Sequence, residues 1–212
     1  MQSPGLRELK KQRTRDLIAD TARRLFAERG FDRVTVADIA AQAEVAEATV
    51  FNYFGSKEDL FFVGLESFED ALVSAVRNRP EGQSVVDAFR ALIVEGAHRL
   101  ASPEGARGAA LGERLISESP ALQRKELEIY ARYTAVLTTL LAEDSGTGDG
   151  DIRPKVIANA LMGVHRALID LVRSLASAEV AGSEIARRVE EEAERGFSIL
   201  SRGLDDFDLR SG

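Results

Sequence analysis

The chain has 212 residues, 44% of them hydrophobic and 30% charged, with a net charge of −7 at pH 7. That is enough apolar material to bury a core in one or two domains. The lack of cysteine excludes a disulfide framework, a zinc–thiolate site and a thiol nucleophile. No apolar run approaches the ~20 residues that span a bilayer. Residues 1–15 are polar and basic, without the apolar segment of a secretory signal, so a cytoplasmic protein with no membrane partner is expected.

In chain order, the first feature is a basic cluster of Arg7, Lys10, Lys11, Arg13 and Arg15. Such an arm can follow phosphates or enter a minor groove. Residues 1–8 are expected to be a solvated tail, and Lys10 to Arg15 to carry the nucleic-acid role. Thr35, with Asp38 three residues on, is a weak form of the capping box and precedes Val36, Ile39, Ala40 and Ala43 at helical spacing. The apolar run stops at Glu44 and resumes after Val45 with Ala48, Val50, Phe51 and Phe54, a break short enough for a tight helix pair joined by a turn that Val45 plugs.

Between the apolar positions of the second helix sit Glu47, Thr49, Asn52 and Tyr53, with Ala48 leaving room for close approach: a face for a polar partner. Gly55 ends that helix, and Ser56 caps the next over LysGluAspLeu. Lys57 in its first turn, with the free backbone amides, can hold a phosphate. Charge is distributed to match. Residues 1–57 carry 10 Lys/Arg against 8 Asp/Glu, whereas 58–212 carry 18 against 27.

The rest reads as helix throughout. Phe61, Leu65, Phe68, Leu72 and Val76 form one stripe on a long helix that starts at Ser56 and ends at ProGluGlyGln, residues 80–83. Ser84 caps a helix to about Leu100, and Ser102 with Pro103 opens a shorter, glycine-broken one near 104–117. Ser119 and Pro120 repeat that start signal for a helix to about Glu143, and 144–151 is a loop by composition. Two long helices follow, about 152–177 and 183–203, the second capped by Ser183. Val156, Leu161, Val164, Leu168, Leu171, Val172 and Leu175 make the first apolar around much of its circumference, so it needs cover on more than one side.

Residues 35–61 resemble the DNA-binding domain of the tetracycline-repressor (TetR) family of bacterial regulators. Arg15 to Phe31 extends the match as that family's first helix, ending at Gly30 with Phe31 folded back onto the core. The resemblance implies an all-α fold: an N-terminal three-helix helix-turn-helix domain over residues 1–55 and a C-terminal helical ligand-binding and dimerisation bundle over 56–212. It implies a homodimer through the last two helices, a double-stranded DNA operator and a small-molecule effector as partners, and no cofactor. Residues 113–143 are similar to the mycofactocin-regulator branch, which implies an acyl-coenzyme-A effector in an elongated apolar tunnel. An effector would act by tilting the helix that starts at Ser56.

On the same resemblance, Thr35, Thr49, Tyr53 and Lys57 hold phosphates, while Asn52 and Phe51 read base edges. Arg13 and Arg15 belong to the DNA-contacting arm. Ala46 stands where a capping Ser is common, Glu47 where a basic or neutral residue is common, and Phe51 where Tyr is frequent. Glu47 repels phosphate unless it accepts from a cytosine amino group.

Polar residues embedded in the apolar helices are the candidates for an effector pocket: His98, Arg114, Tyr130, Tyr133, Asn159, His165 and Arg166. Each also has a plainer reading as a helix-end, rim or ion-pair residue. His165 stands out because it follows Leu161 by four on the apolar helix, where a polar group needs a partner. Small residues such as Gly96, Ala97, Ala109, Ala110, Gly112 and Gly163 leave room between helices or mark close packing. No constellation for catalysis or metal binding is found: two distant histidines, no glycine-rich phosphate loop, and carboxylates such as Glu113 and Glu118 off one helix face. The alternative to a ligand-responsive regulator is a ligand-independent architectural DNA-binding protein.

Overall fold

The computed structural model describes residues 5–100, 102–146, 148 and 150–202. The first four residues of the expected tail, two positions of the 144–151 loop and the expected helix end at 203 lie outside them. Among the described residues there are ten helices and no strand: α1 (Leu6–Arg29), α2 (Val36–Gln42), α3 (Glu47–Tyr53), α4 (Lys57–Phe61), α5 (Leu65–Arg77), α6 (Val85–Leu100), α7 (Pro103–Glu118), α8 (Pro120–Ser145), α9 (Arg153–Ser177) and α10 (Gly182–Arg202).

They form two compact units, Met1–Glu66 with Leu115–Lys125, and Ser67–Arg114 with Glu126–Gly212. The partition differs from the 55/56 boundary read from sequence. It assigns α4 and a segment some fifty residues further along the chain to the N-terminal unit.

In the N-terminal unit α1 packs on α2 and α4, and α2 on α3. Ile18, Ala22, Leu25 and Phe26 of α1 bury against Phe31, Val34, Ile39, Val50 and Leu60. The rings of Phe26, Phe31 and Phe61 lie with centroids 5.0–6.3 Å apart, so Phe31 folds back as expected. The corner that permits this is Gly30, at φ +82° and ψ 154°, a conformation essentially confined to glycine. Helix α1 begins nine residues earlier than the match at Arg15 predicts, so the basic cluster is helical rather than an extended arm.

Thr35 caps α2 with the full reciprocal box: Asp38 N–H donates to Thr35 Oγ1 (3.1 Å) and Thr35 N–H to the Asp38 carboxylate (2.8 Å). The turn after α2 is a Schellman motif, in which Val45 N–H donates to Ala40 O (2.9 Å) and Glu44 takes φ +55°. Val45 is half-buried there. Ala46 gives α3 no side-chain cap, whereas Ser56 caps α4 by accepting from Asp59 N–H (3.1 Å).

The long helix predicted from Ser56 is two helices. Helix α4 stops at Phe61 and Gly64 turns at φ +98°, a left-handed value that breaks the stripe before α5. Residues Leu115–Lys125 add Leu115, Ile116 and Leu122 to the buried set. Ser119 Oγ donates to Asp32 (2.8 Å), and Lys125 pairs with Asp59 (2.8 Å).

In the C-terminal unit α10 packs on α9 and α6. Leu72, Phe89, Leu137, Leu161, Ile185, Val189 and Phe197 are buried. Helices α9 and α10 approach closely at Gly196, where a Cβ would meet Val164 Cγ1 at 3.0 Å. Helix α7 is continuous across its glycines, started by Ser102 Oγ accepting from Gly105 N–H (3.0 Å). Helix α10 starts before Ser183, since the Ala181 carbonyl accepts the first N–H groups, those of Glu184 and Ile185.

Candidate nucleic-acid interface and apolar cavity

On the N-terminal unit the outer face of α3 presents Glu47, Ala48, Phe51 and Asn52 to solvent, with Thr49 and Tyr53 half-buried beside them. Val50 and Phe54 hold the helix down. Phe51 is 52% exposed, so it does not belong to the apolar stripe. An exposed Phe beside Asn52 is a surface with both a hydrogen-bonding and an apolar contact to offer a base edge.

An open groove of about 670 Å³ runs between the start of α1 and α3, lined by Arg7, Glu8, Lys10, Lys11, Thr14, Thr49, Asn52 and Tyr53. Three cations therefore flank the face that carries the polar contacts. Arg13 and Arg15, singled out from sequence, are not among the lining residues. Arg13 is exposed elsewhere on α1, and the Arg15 guanidinium lies 5.2 Å from the centre of the Phe54 ring. Helical periodicity decides this: Arg7, Lys10, Lys11 and Thr14 fall on one face.

Two expected phosphate ligands are engaged within the unit. The Lys57 ammonium donates to the carbonyls of Phe31 (3.1 Å) and Val34 (3.0 Å) and lies 4.1 Å from the centre of the Phe31 ring. It ties the start of α4 to the corner after α1. The Thr35 hydroxyl donates to Asp38 Oδ2 (2.6 Å), and these bonds hold the Asp38 carboxyl below its usual range.

The C-terminal unit holds a partly open cavity of about 130 Å³, lined by Phe68 of α5, Leu92, Ile93, Gly96 and Ala97 of α6, His165, Leu168, Ile169 and Val172 of α9, and Val189 of α10. His165 is the one polar side chain in that lining. Its ring stacks on Phe68 (4.7 Å, 8° between planes) and meets Phe89 and Tyr130 edge-on. The Nδ1 atom is buried without a hydrogen-bond partner. Burial first, then the positive charge of Arg173, lower the imidazole pKa to about 4, so the ring is neutral at pH 7.

Tyr130, Tyr133 and Arg166 gather behind His165 rather than in the cavity wall. Tyr133 is buried with its ring 5.0 Å from Phe68, and the Arg166 guanidinium lies 5.4 Å from the Tyr130 ring centre. Burial, then the charge of Glu126, push the Tyr130 phenol up to about 12. Arg173, which sequence reading missed, bonds Glu126 at 2.5 Å with both side chains largely buried. The other three candidates lie outside the cavity lining. His98 pairs with Glu190 (2.9 Å) on the surface, Asn159 donates to Lys155 O (2.7 Å), and Arg114 is exposed. Of the small residues, Gly96 and Ala97 do open space, and no sequence signal marked Leu92 or Ile93 as their companions.

A helix pair with a polar, cation-flanked second helix, on a chain that also forms an apolar cavity, meets its counterpart in sequence comparison. Residues 18–63 match the model of bacterial regulatory proteins of the tetR family, and residues 83–196 match the MftR C-terminal domain. The chain belongs to the TetR family. This TetR-family chain is 33% identical over 170 residues to the HTH-type transcriptional regulator TcmR of Streptomyces glaucescens, covering 77% of the chain and 74% of TcmR. It is 30% identical over 147 residues to the putative mycofactocin biosynthesis transcriptional regulator MftR of Mycobacterium tuberculosis, covering 69% of the chain and 73% of MftR. In fold it is similar to SmeT in its triclosan complex, with a TM-score of 0.60 at 17% identity over 92% of this chain and 93% of that one. SmeT is the repressor of a Stenotrophomonas maltophilia multidrug efflux pump. The chain is a DNA-binding transcriptional regulator by family. No described helix is long and apolar enough to cross a membrane.

Proposed function

We propose that this regulator is a dimeric repressor that holds a palindromic operator and releases it when a small, largely apolar effector enters the cavity beside His165. The observation that carries the reading is the cavity: about 130 Å³ of partly open, largely apolar space with a single polar side chain, on the same chain as a helix-turn-helix. An architectural DNA-binding protein has no use for such a recess, since apolar side chains that face it forfeit packing contacts. SmeT, similar in fold, is a repressor whose complex holds triclosan. The TetR family is not one of enzymes, and the reading involves no catalysis.

In this reading Thr49, Tyr53, Lys10 and Lys11 position the protein on phosphates, while Asn52, Phe51 and Glu47 face base edges. Lys57 and Thr35 shape the unit from within. Pairing through α9 and α10 is supported by apolar side chains left exposed there: Ile152 (71%) just before α9, Val156 (58%) and Ile157 on α9, and Ile199 on α10. A second copy covers them and sets the two recognition helices a helical turn apart. An acyl-coenzyme-A effector, implied by the branch resemblance, would fit only by its acyl end, because the cavity is compact rather than a long tunnel. Helix α8 is the candidate coupling element, since its first residues belong to the N-terminal unit and the remainder to the C-terminal unit.

The test compares wild type with Ala97→Leu, which fills the cavity from α6, on an operator chosen by selection from random duplexes. Apolar metabolite extract should release wild type and leave Ala97→Leu bound. Release of both alike, or of neither, contradicts the reading.

A further inference from the structure

We propose that the cavity takes a neutral, compact molecule about the size of one aromatic ring, carrying a single hydroxyl group that hydrogen-bonds the His165 imidazole. The inference deepens the effector reading above and rests on it. Size sets the first limit. An engineered apolar cavity of about 150 Å³ takes up benzene, and this one is about 130 Å³.

Chemistry sets the second. Nine of the ten lining residues are apolar or glycine, so a ligand with several polar groups would leave most of them unpaired. His165 supplies one polar ring whose Nδ1 has no partner. A neutral imidazole offers one donor and one acceptor, and a hydroxyl can answer either. Phe68 stacks on His165, which fixes the plane of the ring.

Charge sets the third. No cation lines the cavity. Arg173, whose charge His165 senses, already bonds the buried Glu126 at 2.5 Å and lies 4.0 Å from Glu113. Asp170 and Arg166 act on Tyr130 and are exposed on α9. A carboxylate would therefore enter without a counter-ion, which burial penalises heavily.

The experiment is calorimetric titration of the wild-type protein with phenol, toluene and benzoate, repeated on His165→Phe and on His165→Leu, so that a poorly folding variant does not decide the matter. The inference expects phenol to bind at least as tightly as toluene, benzoate to bind at least tenfold more weakly than phenol, and the variants to lose phenol at least tenfold while keeping toluene. Toluene preferred over phenol in the wild type, phenol unaffected in a folded variant, benzoate bound best, or none of the three bound would each overturn it. The effector reading itself stands or falls separately, on operator release in wild type against Ala97→Leu.

Discussion

The ammonium of Lys57 donates to the carbonyl of Val34 at 3.0 Å, so the cation that opens α4 holds the loop leading into α2. A residue whose position suggests a phosphate ligand is thus a clamp of the DNA-binding unit. Lys57→Ala is expected to lower the stability of the free protein by ~1–2 kcal/mol, as for loss of hydrogen bonds to a charged donor. Urea unfolding without DNA measures this. Unchanged stability with a salt dependence of DNA binding flattened by about one unit of slope would return Lys57 to the phosphates.

Glu44 sits at φ +55° in the turn between α2 and α3, where a residue with a Cβ is strained and glycine is not. Glu44→Gly is expected to stabilise the protein by ~0.5–1 kcal/mol. Removing its negative charge should also strengthen binding to any duplex at low salt. A loss of stability would mean that the Glu44 side chain makes a contact worth more than the strain.

Asn52 and Lys11 line one groove but are expected to fail differently. Asn52→Ala should cost ~1–3 kcal/mol at the cognate operator with little change on random DNA. Lys11→Ala should weaken all duplexes and reduce the salt slope by about one. Fluorescence anisotropy on cognate and scrambled duplexes across a salt series separates the two. Equal loss on both duplexes for Asn52→Ala removes it from base reading.

His165 makes folding sensitive to mild acid. Its pKa falls from 6.5 to about 4 on burial, so the unfolded chain binds more protons between those values and stability rises with pH across that window. The neutral ring carries no penalty at pH 7, and moving to pH 5 should cost about 2 kcal/mol at this one site. The drop in stability from pH 7 to 5 should shrink by that amount in His165→Leu. The same drop in both proteins would show that His165 is accessible to water or has a partner in solution.

The helices and most of their caps were legible because their signals are local. Thr35 with Asp38, and Ser84 with Asp87, declare a helix start within four residues. The break at Gly64 was hidden because one glycine does not interrupt an apolar stripe that continues on both sides. The Schellman turn at Glu44 was hidden because its glycine signal is missing.

Legibility of the sites divides along the same line. The α3 face could be read from spacing, since seven residues carry it. The groove cations needed the start of α1 to be helical, which turns Arg7, Lys10 and Lys11 toward α3 and Arg13 away. His165 was visible as a polar residue on an apolar stripe. His98, Arg114 and Asn159 looked similar, because sequence does not say which side of a helix another helix covers: Ala97 lines the cavity while its neighbour His98 pairs with Glu190 on the surface. The bond from Ser119 to Asp32 spans 87 residues and leaves no local trace.

The most direct measurement is native mass spectrometry of the protein with its selected operator, before and after addition of an apolar metabolite extract. The account predicts two protomers per duplex at first, then free duplex and a dimer carrying one small molecule per subunit. A protein–DNA complex that persists with the small molecule bound, or a dimer that leaves DNA while carrying nothing, would contradict it.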